Sequence, residues 1–139
     1  MSPGSTSATV SSFMSGAPVV VHDDEAIPAV ADLLAGFEIT GLPVVDYRDR
    51  LVGVISQTDL VRFRGSTVPW SGWHGILVRD LMSTPARTVT PEAPVDEAAR
   101  LMTRARVHRL VVVDSRETPI GVISESDIIR EIADCCDDG

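Results

Sequence analysis

The chain has 139 residues, 44% of them hydrophobic and 4% aromatic, with a formal net charge of −8. This length supports one packed core rather than several independent domains, and the acidic balance works against generalised attraction to nucleic acid or anionic lipid. No apolar run approaches the roughly 18 residues of a membrane span. No positive charge precedes Arg48, so no signal peptide is expected and the chain reads as cytoplasmic.

Residues 1–9 are rich in Ser, Thr, Gly and Pro and are expected to form a disordered tail. A short helical turn follows over 11–14, then a β-prone run at 19–21, which the turn-forming Asp23-Asp24 separates from a helix. In that helix Val30, Leu33, Leu34 and Phe37 fall at i, i+3, i+4 and i+7 and so share one face. Residues 42–46 and 51–55 form a hairpin around Tyr47-Arg48-Asp49-Arg50, and a helix begins near Ser56. The connector 63–77 holds three Gly, one Pro and both Trp residues, whose rings pin an irregular linker or meet a partner.

The same succession then returns. A helical turn at 79–82 leads to a β-prone run at 87–89, the turn Thr90-Pro91, and a helix with Ala98, Leu101, Met102 and Ala105 on one face. A hairpin at 110–114 and 119–123 and a helix from Ser124 complete it. Residues 134–139 form an acidic tail. Its Cys135-Cys136 pair matches no zinc spacing, and adjacent cysteines bridge only in a strained ring.

The repetition is detailed: Met14-Ser15 recurs as Met82-Ser83, and Gly53-Val54-Ile55-Ser56 as Gly121-Val122-Ile123-Ser124, so that 82 − 14 and 121 − 53 are both 68. Segments 10–62 and 78–130 align without a gap, sharing also Val44-Val45-Asp46 with Val112-Val113-Asp114, and Asp59 with Asp127. A constant offset means two copies of one supersecondary unit. Each copy has about fifty residues and buries too little surface to stand comfortably alone, so the copies are expected to pack together. The order in each is β-α-β-β-α, an α+β unit with helices stacked on a small sheet.

These motifs resemble the cystathionine β-synthase (CBS) domain family, in the tandem arrangement called a Bateman module. The resemblance rests on Met-Ser at the head of each copy, the apolar strand ending in Asp46 or Asp114, and Gly-Val-Ile-Ser-x-x-Asp at the end. It implies two tandem α+β repeats, 10–62 and 78–133, packed with pseudo-twofold symmetry. It further implies a non-catalytic regulatory sensor with no required cofactor, binding an adenosine-containing small molecule such as AMP, ADP, ATP or S-adenosylmethionine in clefts between the copies. Members tend to pair through their helices, which implies a homodimer acting on a regulated protein, while the net charge of −8 disfavours a nucleic-acid or membrane partner.

Ser56-Gln57-Thr58-Asp59 and Ser124-Glu125-Ser126-Asp127 sit where a strand turns into a helix. Two compatible readings stand. A carboxylate there can accept from both hydroxyls of a ribose while the serine hydroxyl and free helix N–H groups reach ribose or phosphate, and the same spacing is a capping box. His108-Arg109 places an imidazole and a guanidinium at the entrance to a buried strand, similar to a His-Arg-Leu sequence of nucleotide-binding family members. Arg suits phosphate because its planar fork bonds two oxygens and keeps its charge, whereas Arg104 and Arg106 complement the negative end of the preceding helix. The first copy has Thr40 and Gly41 at these positions and Glu38 in place of Arg106, so one competent nucleotide site and one weak or differently specific site are expected. By resemblance, Val19, Leu42, Pro43, Arg87, Leu110 and Val111 wall the base; as residues most of them fit plain core better, and Arg87 fits an exposed edge as well as a phosphate or base contact. No nucleophile elbow, Gly-rich phosphate loop with Lys, or His-Glu-x-x-His is present. The alternative is a ligand-independent dimerisation scaffold whose clefts have decayed.

Overall fold

A computed structural model describes residues 8–37, 39–66 and 74–136. The duplicated pattern becomes a duplicated set of elements: α1 (Val10–Phe13), β1 (Ser15–Gly16), β2 (Val21–His22), α2 (Ile27–Phe37), β3 (Gly41–Val45), β4 (Leu51–Ser56) and α3 (Gln57–Arg64), then α4 (Val78–Leu81), β5 (Thr88–Val89), α5 (Val95–Ala105), β6 (Arg109–Val113), β7 (Pro119–Ser124) and α6 (Glu125–Cys136). They gather into two compact units, one of Val19–Ala86 and the other of residues 1–18 together with 87–139.

In the unit Val19–Ala86 the sheet order is β2-β3-β4, with β2 parallel and β4 antiparallel to β3. Strand alternation turns Leu42 and Val44 toward α2, where they pack with Val21, Ile27, Val30, Leu34, Ile55 and Val78. In the other unit the order is β1-β7-β6-β5, and Leu110, Val112 and Ile123 pack with Val10, Val89, Ala98 and Met102. Each fully buried Leu or Ile in these clusters contributes roughly 1.5–3 kcal/mol. Asp96 and Glu97 in the first turn of α5 complement its positive end. The apolar stripe expected on α2 holds except at Phe37, which is 58% exposed because it is the last helical residue and overhangs the core.

The hairpin turns explain Asp46 and Asp114. Asp46 Oδ1 accepts from the amides of Arg48 (2.8 Å) and Arg50 (3.0 Å), and Asp114 Oδ1 from those of Arg116 (2.8 Å) and Thr118 (3.0 Å). These turns bring Asp49 and Glu117 into the left-handed region, φ 63° and 64°. The Arg50 amide, then that of Arg48 and the two guanidinium charges, outweigh burial and hold the Asp46 carboxyl below its ordinary range.

The leading turn of each copy docks on the last strand of the other copy. Ser15 pairs with Val122 and Gly16 with Gly121, and the same offset sets Ser83 against Val54. Thr9 bridges Pro94 as Leu77 bridges Ala26. A Cβ at Gly121 would stand 2.6 Å from the Ser15 carbonyl oxygen and 2.8 Å from Met14 Sδ, and one at Gly53 would stand 2.8 Å from both the Ser83 oxygen and Met82 Sδ. Met-Ser and Gly-Val-Ile-Ser are therefore the two halves of one close contact.

The observed boundaries differ from the expected ones in small ways. The Ala8 carbonyl accepts from Val95 at 3.0 Å, so Ala8 and Thr9 belong to the fold rather than to a tail. Ile76 and Leu77 dock through the Ile27 amide and the Ala26 bridge rather than lying free in the connector. Helix α6 runs through Cys136. Trp70, Trp73, Glu38 and the terminal residues 1–7 and 137–139 lie outside the described residues, as do the side chains of Cys135 and Cys136.

Candidate functional site

The sheet topology brings several of the singled-out residues to one end of the second copy. Strands β5 and β6 run parallel with Thr88 opposite Val111, so Arg87 stands at the same end as His108 and Arg109. The antiparallel partner of Arg109 is Ser124, the residue that leads into α6. The Glu125 amide donates to the His108 carbonyl at 3.0 Å, closing the end of the sheet against the first turn of α6. Arg87 and Arg109 are exposed and their guanidinium groups have no partner among the described residues. His108 Nδ1 meets Glu125 Oε1 at 3.0 Å with both side chains largely in solvent.

Asp127 is the buried polar group of this end, 6% exposed. Its Oδ2 accepts from the Ser124 amide (2.7 Å) and hydroxyl (3.1 Å), while Oδ1 faces the Arg130 guanidinium. Asp59 repeats this in the first copy: Oδ2 accepts from the Ser56 amide (2.8 Å) and hydroxyl (3.0 Å), and the Ser56 hydroxyl accepts from the Asp59 amide (3.3 Å). The reciprocal capping box is realised at Ser56–Asp59, and Ser124–Asp127 shows its carboxylate half. The cap uses Oδ2 and leaves Oδ1 to the arginine three residues further on. Arg62 approaches Asp59 Oδ1 only to 3.9 Å.

The first copy's sheet end carries no cation at the corresponding positions. The Gln57 amide donates to the Thr40 carbonyl at 2.8 Å and Gly41 pairs with Ser56. Val19 is half-buried against the core of its unit. Of the expected base-wall residues, Leu42 and Leu110 are each 1% exposed, turned by strand alternation toward α2 and α5. Pro43 and Val111 lie on the opposite strand face and are also buried. Arg106 is in the left-handed conformation at the end of α5, φ 57°, with its amide on the Met102 carbonyl, so its backbone ends the helix. Sequence reasoning missed Arg130 and Glu125. Their signal was spacing: Arg62 and Arg130 both lie three residues after the candidate Asp.

The arrangement is an α+β repeat, used twice, with a polar strand-to-helix corner in each copy. The CBS domain model matches residues 10–66 and again 78–134. Inosine-5'-monophosphate dehydrogenase of Methanocaldococcus jannaschii is 30% identical over 112 residues, covering 81% of this chain and 21% of that protein. The chain thus spans about a fifth of the length of such a relative. Among solved structures, CBSX2 in complex with AMP superposes with a TM-score of 0.78 at 31% identity, covering 91% of this chain and 97% of that one. The CBS domain pair of protein MJ0100, in complex with 5'-methylthioadenosine and S-adenosyl-L-methionine, shares the fold with a TM-score of 0.78 at 24% identity, covering 92% and 98%. The chain belongs to the CBS domain family and carries two CBS domains in tandem.

Proposed function

We propose that this CBS domain pair is a non-catalytic regulatory sensor that binds an adenosine-containing ligand and prefers one bearing phosphate. The carrying observation is the pairing of Arg109 with Ser124, which sets a guanidinium without a partner among the described residues beside the N-terminus of α6. There the helix N–H groups and the guanidinium both favour an anion. Arg109, with His108 and Arg87, takes the phosphate, while Asp127 accepts from the ribose hydroxyls through Oδ1, the oxygen the cap does not use. The AMP complex of CBSX2 supports this ligand class. The first copy, with Val19, Thr40 and Gly41 in place of the three basic residues, takes phosphate poorly. Ligand regulates only through its different affinity for two arrangements of the protein.

We also propose that the protein works as a homodimer in the cytoplasm, paired through the second helices of the copies. Val61 on α3 and Ile129 and Ile132 on α6 are 71%, 63% and 50% exposed, which leaves large apolar groups for a second copy to cover. A scaffold without ligand is the competing reading, favoured by the caps that already occupy Asp59 and Asp127.

Thermal unfolding against AMP, ADP, ATP, S-adenosylmethionine, NAD and guanine nucleotides tests the sensor, since ligand at 100 times Kd adds about 2.7 kcal/mol. Stabilisation by adenosine compounds is expected, and Arg109→Ala weakens AMP by about tenfold, the worth of a charge-assisted hydrogen bond, while leaving adenosine within about twofold. Equal loss for both removes the phosphate role, and no shift across the panel selects the scaffold.

A further inference from the structure

The Arg130 guanidinium does more than face Asp127. Its Nη2 also donates to the Phe13 carbonyl at 3.0 Å, 117 residues away in the chain. Phe13 is the last residue of α1, and its carbonyl is one of those a helix end leaves without an internal partner. One cation therefore ties the carboxylate at the head of α6 to the leading segment that docks on β7. In the first copy Arg62 reaches, among the described residues, only Asp59, at 3.9 Å.

We propose that Arg130 is a latch through which ligand at Asp127 loosens the leading segment, residues 10–16. This rests on the reading of Asp127 as the ribose-binding carboxylate. The cap holds Oδ2, so a ribose diol must use Oδ1, the oxygen that neutralises Arg130. Hydroxyl donors at Oδ1 compete with the guanidinium. Arg130, drawn off the carboxylate, no longer holds the Phe13 carbonyl in place. Besides the packing of Val10, Phe13 and Met14 on the core of the unit, the segment's remaining hydrogen bonds to it are few: the Val10 amide to Ala93 (2.9 Å), the Ser11 amide to Pro91 (3.0 Å) and the short β1–β7 ladder. Losing one tie out of so few changes its opening equilibrium measurably.

Amide hydrogen exchange of the full chain with and without AMP tests the latch, together with AMP affinity from the same samples. Binding must protect the rest of the unit by mass action. The latch predicts the opposite sign at residues 10–16, where exchange accelerates by roughly two- to tenfold, the worth of one hydrogen bond. Arg130→Met shows that faster exchange without AMP and no further change with it, whereas Arg62→Met leaves residues 10–16 responding as in the wild type. If AMP binds and residues 10–16 are protected like the rest, or if Arg130→Met keeps the wild-type response, the latch is wrong and the sensor stands. If AMP does not bind at all, the site reading fails and takes the latch with it.

Discussion

Position 41 is where the two copies part company most sharply, Gly41 standing where the second copy has Arg109. A Cβ at Gly41 would meet the Ile55 oxygen at 3.4 Å and Ser56 atoms at 3.7 Å, ordinary contact distances that let a side chain leave the strand beside the corner of α3. Gly41→Arg should therefore give the first copy a phosphate contact it lacks. Calorimetric titration with AMP is expected to move from one strong site toward two. An unchanged stoichiometry would mean that the guanidinium alone does not make the difference between the copies. The identities of these residues were legible in the sequence, and so was the asymmetry, because a repeat supplies its own reference. Which strand face of Leu42 and Leu110 meets the helices was not, since either face of an all-apolar run reads alike until the helices choose one.

The pairing of β1 with β7, and of Ser83 with Val54, makes Gly53 and Gly121 joints rather than flexible points. Substituting either with Ala puts a methyl into a backbone carbonyl that has nowhere to go, and overpacking of this kind costs about 1–3 kcal/mol. Gly121→Ala, at 2.6 Å from the Ser15 oxygen, is expected to be the worse of the two. Urea unfolding should show lower midpoints with unchanged slopes. Midpoints equal to the wild type would show that the leading segments contribute nothing to their units. Hairpins, helices and their order were readable because each rests on local periodicity. The exchange of leading turns was not, because a constant offset tells which residues correspond and says nothing of which ones touch. Arg130 escaped for the same reason, its partner at Phe13 being remote in sequence.

For the whole molecule, the proposed homodimer rests on the exposed Ile129 and Ile132. Sedimentation is expected to find a dimer, and Ile129→Glu with Ile132→Glu a monomer that keeps its circular dichroism, since surface substitutions away from the core change stability little. A double variant that stays dimeric would put the contact elsewhere. The leading segments also set a timetable for synthesis. Ser83 finds Val54 already made, 83 − 54 = 29 residues earlier, so the unit Val19–Ala86 has every strand it needs once its own last residue emerges. Ser15 must wait for Val122, 122 − 15 = 107 residues later. At about 5–20 residues per second that is roughly 5–20 s during which the segment around Ser15 has no partner, while the unit Val19–Ala86, begun after it, is the first to finish.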